Sequence, residues 1–279
     1  MKVIDFRIRP PFEDFLKEEA SFFTKEKLDK FEKQTSLKVG NSAREKSMEK
    51  CIAEMDEAGI DIAVVSPRRK KGVFNQTIVD IVEKYPDRFI GLAGVDVFDV
   101  EGALEEIDKY IINGPLKGLT IECGFATDTP SMAFDDRRMY PIYDKCQKEG
   151  IFILYTTGLA FSSLEQARPT ALDQVAIDFP DLKIVVSHAC WPYVIEACWI
   201  ALVRKNVYLS PDVYMFNTPG NDEYIMAINN MLKDKMIYGS AYPLASITES
   251  MNYTLNCGIS DEAMPKYLYE NAAKVLGLE

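Results

Sequence analysis

The amino-acid sequence predicts an α/β fold of the (β/α)8 TIM-barrel type, in a single domain that spans residues 1–279. Eight short apolar segments alternate with segments of helical periodicity along the chain. Two of these segments, IFILY and KIVV, are apolar throughout, which is typical of parallel strands covered on both faces. Eight such units in a chain of this length favour a closed barrel over an open doubly wound sheet.

The predicted elements follow one another in a regular order. The strands are expected at residues 2–8, 61–65, 89–95, 116–122, 151–156, 183–188, 207–209 and 235–238. The helices of the repeating units are expected at residues 75–84, 100–112, 139–149, 169–179, 192–203, 222–232, 246–256 and 261–276. An additional amphipathic helix is expected at 42–58, with Ser42 and Glu45 at capping-box spacing and Gly59 at its end.

Residues 12–40 differ from the rest of the chain because charged residues alternate there with phenylalanines. A short helix is expected from Thr24 to about Gln34. We interpret this segment as a helical insertion after the first strand. It either forms part of the pocket wall or packs on the rim of the barrel, and the sequence does not decide between these alternatives.

Charge and cysteine content narrow the class of protein. The net charge of −11 and the pI of about 4.8 argue against nucleic acid or an anionic membrane surface as a partner. The first residues contain no apolar leader, and no window approaches the roughly 20 apolar residues that a spanning helix needs. The six cysteines are scattered and never form CxxC, which indicates reduced thiols and predicts a cytoplasmic protein.

The carboxyl ends of the strands are where a barrel of this type carries its chemistry. His188, the only histidine of the chain, lies at the end of the sixth predicted strand. Its ordinary pKa lies near neutrality, so it is the candidate catalytic proton carrier. Nearby arginines would keep the imidazole neutral and favour a base over an acid. The alternative is a structural histidine that is hydrogen-bonded in the core.

Arg7 and Arg9 lie two residues apart at the end of the first strand, so alternation places both on one face. A guanidinium presents a planar fork of donors that matches a carboxylate or phosphate, and it can also stabilise an oxyanion. These two residues are therefore candidates for binding a small anionic molecule. The alternative is that they pair with Asp5 and Glu122 and fill the cavity.

Three further residues complete the predicted substrate-binding set. Arg68 opens a basic run, RRKK, which either steers an anionic substrate or forms a solvated loop. Tyr155 and Thr156 end the fifth strand, where they could donate hydrogen bonds or serve only in packing. Cys190 follows His188 by two residues, but no third group that would orient such a pair can be named.

Six segments, in this order and spacing, resemble the amidohydrolase-related family, which includes aminocarboxymuconate-semialdehyde decarboxylase and lactone hydrolases. They are YPDRFIGLAGVDVFD (85–99), LKGLTIECG (116–124), PIYDKCQKEGIFILYTTG (141–158), LKIVVSHACWP (182–192), MIYGSAYP (236–243) and YLYENAAKVLGL (267–278). The resemblance implies a TIM barrel that acts as a hydrolase or decarboxylase on a small carboxylated or lactone substrate. It also implies, by analogy, that a homodimer can form.

The resemblance further implies one divalent metal, commonly zinc, held by two histidines of the first strand, a histidine of the fifth and an aspartate of the eighth. Those positions are occupied here by Arg7, Arg9, Thr156 and Ala241, and only the sixth-strand His188 remains. A catalytic zinc site needs three protein ligands from His, Cys, Asp and Glu. The chain therefore diverges from the pattern, and we predict no metal at this position and no cofactor.

An oxygen-ligand metal site remains open, because Asp5, Asp96, Glu122 and Asp212 all lie near strand ends. Two guanidiniums beside such a site would oppose a dication. The sequence thus leaves two functional hypotheses. The first is a metal-independent hydrolase or decarboxylase in which arginines hold an anion and His188 moves a proton. The second is a non-catalytic protein of the same fold that binds a small anion or a partner subunit.

Overall fold

Seven parallel strands form one sheet in the computed structural model, which describes residues 2–18, 22–123, 132–158, 164 and 167–278. The order in the sheet is the order in the chain, so each strand is connected to its parallel neighbour through helical segments. This arrangement confirms the predicted α/β barrel. The strands are β1 Ile4–Ile8, β2 Ile62–Val65, β3 Phe89–Gly94, β4 Gly118–Ile121, β5 Phe152–Thr156, β6 Ile184–Ser187 and β7 Val207–Ser210.

Helices surround this sheet. They are α1 Lys25–Thr35, α2 Asn41–Glu45, α3 Met48–Glu57, α4 Asn75–Lys84, α5 Val100–Ile107, α6 Tyr140–Lys148, α7 Thr170–Asp178, α8 Val194–Val203, α9 Asn221–Asn229, α10 Ile247–Asn256 and α11 Asn271–Leu276. Helix α5 continues into a π-helical turn at Asp108–Ile112, and another at Lys266–Glu270 precedes α11. Across the described ranges, no helix has the length and apolar character that crossing a membrane requires.

The predicted eighth strand, at 235–238, is not a regular strand. Its hydrogen bonds nevertheless link β7 to β1, because Leu209 donates to the carbonyl of Lys235 and Phe6 donates to the carbonyl of Tyr238. The amide of Tyr238 turns away and donates to Tyr267. Only isolated bridges result on either side, so this segment spans the gap between the first and the seventh strand without a continuous ladder.

The single helix predicted at 42–58 is divided into two helices, α2 and α3. The predicted capping box of Ser42 and Glu45 does not form. Lys46 adopts a left-handed conformation (φ 55°) and ends α2, and the Ser47 hydroxyl then accepts from the amide of Lys50 to begin α3. Ser42 is buried and its hydroxyl donates to Glu54 at 2.5 Å instead of capping a helix. A long-range partner has therefore replaced the local one.

The amino-terminal half of the barrel interior is a compact apolar layer. Phe6 of β1 meets Phe152 of β5 across the barrel, with ring centroids 5.9 Å apart. Other members of this layer are Ile4, Val64, Leu92, Leu154, Val185, Tyr208 and Ile237. Between Asp5 and Ile8, β1 uses one residue more than β2, which is a β-bulge. The bulge breaks the alternation, so that Arg7 as well as Phe6 can face the interior.

Candidate active site

A cavity of about 580 Å³ opens at the carboxyl ends of the strands. Its described lining comes from β1, the turns after β2, β6 and β7, and the segment 12–40. The described lining includes five basic side chains and no acidic one. The basic side chains are Arg7, Arg9, Lys30, Arg68 and Lys71. These basic side chains favour the binding of small anions.

Arg7 is buried, with 3% of its surface exposed. None of its three guanidinium nitrogens has a hydrogen-bond partner among the described residues. Asp5 contacts the backbone of Arg7 and not its guanidinium, because Asp5 Oδ1 accepts from the backbone amide of Arg7 at 2.9 Å. Burial raises the pKa of the Asp5 carboxyl to about 6. Burial lowers the pKa of Arg7, against the attraction of Asp212 and Glu122.

Arg9 and Arg68 share one acidic neighbour. Glu122 Oε1 lies 3.9 Å from Arg9 Nη2 and 3.9 Å from Arg68 Nε, which is an ion-pair separation too long for a hydrogen bond. Both guanidiniums lie over the ring of Phe22, at 5.3 and 4.7 Å from its centroid. Burial, then Arg7 and Arg68, lower the pKa of Arg9. The three guanidiniums are thus close enough to repel one another.

His188 forms a dyad with Asp212. His188 Nδ1 lies 2.6 Å from Asp212 Oδ1, and the other carboxylate oxygen accepts from the backbone amide of His188 at 3.1 Å and from the Ser187 hydroxyl at 2.9 Å. A carboxylate can only accept, so the Nδ1–H of His188 donates and its Nε2 carries the lone pair. The ring lines the cavity, which makes Nε2 the available base.

The pKa shifts of this dyad agree with a neutral imidazole beside an ionised carboxylate. Burial lowers the pKa of His188, Asp212 opposes this, and Arg7 and Arg9 lower the pKa further. Burial raises the pKa of Asp212, but His188 and Arg7 outweigh it, and the net direction is down. At neutral pH the pair is therefore an imidazole held by a carboxylate, which is a general base with a fixed tautomer.

The backbone around the dyad is left-handed at residues that are not glycine. His188, Ala189 and Cys190 have φ values of 65°, 43° and 59°, and Asp212 has 44°. Thr157 stabilises the first turn, because its hydroxyl donates to the carbonyl of Ser187 and accepts from the amide of Cys190. Such conformations cost free energy and concentrate at functional sites. They indicate that this mouth of the barrel is shaped for a ligand.

Aromatic side chains form the apolar part of the wall. Trp191 and Tyr214 stack with ring centroids 4.8 Å apart, and Tyr214 meets the His188 ring edge-on at 5.4 Å. Phe22 and Phe31, together with Lys30, Gln34 and Thr35, come from the segment 12–40. That segment therefore contributes to the pocket wall, the first of the two alternatives left open by the sequence.

Two of the predicted site residues are not in the described lining of the cavity. Tyr155 stacks on Phe134 with centroids 3.7 Å apart, and Thr156 is buried with no hydrogen-bond partner for its hydroxyl in the described ranges. Their substrate-binding role remains a prediction. Cys190 is buried and desolvation raises its pKa to about 12, so it is not a poised nucleophile.

Sequence reasoning did not anticipate the pairing of Asp212 with His188. The signal was available, because Asp212 follows β7 as His188 follows β6, and these strands are neighbours in the sheet. The contributions of Lys30 and Trp191 were also missed. They depend on how a helix and a turn pack on the barrel, for which the sequence offers no direct sign.

The residues present do not fit the family's metal. Within the ranges that the structure describes, no group of three or more His, Cys, Asp or Glu side chains could hold a metal ion. The first-strand positions carry guanidiniums, which are hydrogen-bond donors and repel a dication. Asp212 is engaged by the Nδ1–H of His188. A metal-free site remains a prediction for this chain.

Solved structures place this architecture among known proteins. An uncharacterised TIM-barrel protein from Bordetella bronchiseptica is 34% identical, with a TM-score of 0.93 and 99% of each chain covered. A 2,6-dihydroxybenzoate decarboxylase from Rhizobium is 15% identical, with a TM-score of 0.72 over 100% of this chain and 99% of the other. A Novosphingobium aromaticivorans 5-carboxyvanillate decarboxylase, complexed with manganese, is 17% identical, with a TM-score of 0.67 and coverage of 99% and 95%. The last two show similarity of fold alone.

Sequence comparison identifies the family and confirms the resemblance seen in the strand segments. A 2-amino-3-carboxymuconate-6-semialdehyde decarboxylase from Dictyostelium discoideum is 29% identical over 76 residues, which is 27% of this chain and only 20% of that protein. The sequence model of the amidohydrolase family (Amidohydro_2) matches residues 39–278. Because that match covers most of the chain, this protein belongs to the amidohydrolase family.

Proposed function

We propose that this protein hydrolyses a small carboxylated lactone or ester, without the metal of its family. The observation that carries the proposal is the Arg7 guanidinium, buried without a hydrogen-bond partner among the described residues, in the same cavity as the His188–Asp212 dyad. A buried charge of this kind is tolerated where a ligand will pair with it. A base and an oxyanion donor in one cavity are what ester hydrolysis requires.

The step uses only groups of this chain and one water. His188 Nε2 takes a proton from the water, whose oxygen attacks the carbonyl carbon of the substrate. Arg7 stabilises the oxyanion that forms, since a guanidinium needs no proton transfer to do so. The carbon–oxygen bond of the leaving group then breaks, and the imidazolium returns its proton to that oxygen. Asp212 holds the ring in the required tautomer throughout.

The protonation state of His188 favours hydrolysis over decarboxylation. Loss of CO2 leaves a carbanion that must receive a proton, so the nearby group must start as an acid. Burial and two arginines lower the pKa of His188, and a neutral imidazole with its Nε2 unprotonated starts as a base. Strong pairing of a substrate carboxylate with arginine also stabilises the ground state that decarboxylation must leave.

Decarboxylation is the second candidate, because decarboxylases recur among the proteins that this chain resembles. In that reaction a carboxylate would bind at the arginines and leave as CO2. The two candidates differ in products, since hydrolysis of a lactone releases a proton and a hydroxy acid, whereas decarboxylation consumes a proton and releases CO2.

A panel assay separates these candidates from the non-catalytic alternative. Purified protein is incubated with lactones and aromatic acids that carry one or two carboxylates, and proton release and CO2 are measured in parallel. We expect proton release with a subset of lactones, which His188→Gln abolishes without changing the melting temperature by more than a few degrees. CO2 release would favour decarboxylation. Binding without either product would favour the non-catalytic anion-binding protein.

Metal independence is a separate prediction. We expect metal analysis of the purified protein to find well below one zinc or manganese per chain, and a chelator to leave turnover unchanged. The physical reason is the guanidinium pair at the family's ligand positions. A stoichiometric metal whose removal abolishes turnover would contradict the metal-free mechanism, although the role of Arg7 in anion binding could still be tested by ligand affinity.

A further inference from the structure

We propose that two copies of this chain form a two-fold symmetric dimer through the outer side of helix α8. Four large apolar side chains are exposed on that helix, namely Ile195, Trp199, Leu202 and Val203. They recur at spacings of three or four residues and therefore lie on one side of the helix. No other helix in the described ranges exposes more than one large apolar side chain. This surface is on the outside of the barrel and takes no part in the proposed reaction.

The sequence of α8, VIEACWIALV, explains why its outer side needs a cover. Nine of its ten residues are apolar, and Glu196 is the single charged one. A helix that is apolar on all sides is normally buried on all sides. Val194, Ala197 and Ile200 belong to the hydrophobic core of the barrel, which covers only the inner side of α8. A second protein surface is therefore expected on the outer side.

The neighbouring helices extend the apolar surface of α8 on both sides. Asp173 lines the groove between α7 and α8, and Ile177 follows it by four residues, so Ile177 lies on the side of α7 that borders α8. Glu223 lines the groove between α8 and α9, and Met226 follows it by three residues. Ile177 and Met226 are both exposed. We call these two residues and the four exposed residues of α8 the apolar outer face.

The size of the apolar outer face matches what a dimer needs. Its six residues each expose between 44% and 67% of their surface, which amounts to roughly 600 Å² of mainly apolar area. A standard interface covers about 800 Å² on each partner, and about 65% of a homodimer interface is apolar. Roughly 500 Å² of apolar area on each copy is therefore sufficient. Monomeric proteins rarely expose a contiguous apolar patch of this size.

Helix α8 forms a ridge between two grooves, and this shape allows one copy to fit against another. A cavity of about 430 Å³ lies between α7 and α8, and one of about 290 Å³ lies between α8 and α9. Ile195 lines both cavities, and Trp199 lines the larger one. In a two-fold contact the α8 ridge of each copy enters the larger groove of the other. Trp199 then lies near the centre of the interface, where tryptophan side chains contribute most to affinity.

The charges near α8 favour a second copy over a lipid surface as the occupant. The chain has a net charge of −11, so two copies repel each other least where charged side chains are few. Helices that bind membrane surfaces carry lysines and arginines beside their apolar side. The smaller groove beside α8 is instead bordered by two acidic residues, Glu196 and Glu223.

Sedimentation velocity over a range of protein concentrations tests the proposal. We expect the wild type at micromolar concentration to sediment with a mass of twice 31.6 kDa. Leu202→Glu places a charge without a partner inside the interface and should raise the dissociation constant of the dimer at least about 100-fold. Leu255→Glu is the matched control, because Leu255 of α10 is 51% exposed and Leu202 is 50% exposed. The control should change the dissociation constant by less than about threefold. Circular dichroism and melting temperature verify that both variants are folded.

The fluorescence of Trp199 provides a second measurement at the interface itself. The chain contains two tryptophans, so Trp191→Phe is introduced throughout to leave Trp199 as the single one. Quenching of Trp199 by acrylamide should be weak in the dimer and should increase when the protein is diluted below its dissociation constant. In Leu202→Glu the quenching should be strong at every concentration, because Trp199 is exposed in the monomer.

The alternative outcomes decide against the proposal in separate ways. A wild type that is monomeric at every concentration would overturn it. A dimer that Leu202→Glu leaves intact, or that Leu255→Glu disrupts equally, would overturn the assignment of the interface to α8. Binding of a monomeric wild type to phosphatidylcholine vesicles, abolished by Leu202→Glu, would assign the apolar outer face to a lipid surface instead. None of these measurements requires turnover, so dimer formation and the proposed hydrolysis can fail independently.

Discussion

The two halves of the barrel interior differ in how well their groups are satisfied. In the amino-terminal half, Phe6 and Phe152 belong to a buried layer whose aliphatic side chains and phenylalanine rings need no polar partners. In the carboxyl-terminal half, Arg7 and Arg9 are as deeply buried but keep guanidinium nitrogens without hydrogen-bond partners in the described chain. Similar burial therefore leaves the apolar side chains satisfied at one end and guanidinium nitrogens unsatisfied at the other.

This difference shows where stability and function are located. Burial of apolar surface stabilises the fold by about 25 cal/mol per Å². The apolar layer of the amino-terminal half contributes stability in this way. Taking a charge from water without a partner costs several kcal/mol, and left-handed backbone at His188 and Asp212 adds to that cost. Binding of a complementary anion would pair these charges and so offset part of that free-energy cost. The ligand, and not the protein, completes the polar half of the interior.

The largest expected effect is the loss of catalysis when the base of the mouth is removed. His188→Gln should lower kcat/KM by about 10²- to 10⁴-fold, the usual contribution of general base catalysis. Because the pKa of His188 is lowered in the folded protein, wild-type kcat/KM should be flat at neutral pH and fall on acidification, with its midpoint below 6.5. The measurement is a pH profile of kcat/KM for both proteins.

The lowered pKa of His188 also predicts how the stability of the fold depends on pH. The unfolded chain binds the His188 proton more readily than the folded one, so the free energy of unfolding should decrease as pH falls through 6.5. His188→Gln should remove that component of the pH dependence. A profile that rises on acidification, or that the substitution leaves unaltered, would contradict the assignment of His188 as a neutral base.

Truncation of a side chain in the apolar layer of the amino-terminal half should lower the stability of the fold without changing ligand affinity. Phe152→Ala removes a ring that packs on Phe6, and we expect the free energy of unfolding to fall by about 3–5 kcal/mol. Urea titration measures this loss. The affinity for benzoate should be unchanged under conditions where the variant is folded. A changed affinity would mean that the two halves are not independent.

Removal of a charge from the mouth should have the reverse effect. Arg7→Met replaces a buried guanidinium that lacks a hydrogen-bond partner in the described chain by an apolar side chain, and the ligand-free protein should become more stable by about 1–4 kcal/mol. The stabilisation that benzoate confers on the wild type should disappear. Urea titrations with and without that ligand provide both numbers. A less stable ligand-free variant would indicate that Arg7 has a structural role after all.

The sequence predicts the strands of the barrel better than it predicts the arrangement of residues at their carboxyl ends. The apolar runs of the strands are long enough to predict most of them, and the two-residue spacing of Arg7 and Arg9 at the end of the first strand places them together. The eighth strand was predicted at 235–238, but the chain leaves the ladder there because the amide of Tyr238 donates to Tyr267. Local periodicity cannot detect a tertiary competitor for a backbone hydrogen bond.

The partnership of His188 with Asp212 required the order of the strands in addition to the sequence. His188 directly follows β6, Asp212 lies two residues after the end of β7, and the two strands are adjacent, so the barrel prediction already implied that these side chains could meet. The position of Phe22 had no such signal. It depends on how the segment 12–40 folds over the mouth, which is decided by packing between residues distant in the chain.

The smallest expected effect concerns Phe22, which contacts the guanidiniums but no described acidic group. Phe22→Leu keeps an apolar side chain and removes the ring that faces Arg9 and Arg68, at a loss of roughly 0.5–1 kcal/mol of cation–π attraction. Without the ring the two arginines can move apart, and a bound anion meets a less organised pair. Affinity for a small aromatic carboxylate such as benzoate should therefore fall about two- to fivefold. Phe98→Leu is the control, because Phe98 is exposed and does not line the cavity. An equal loss in Phe98→Leu would show that the effect does not depend on the ring that faces the two arginines.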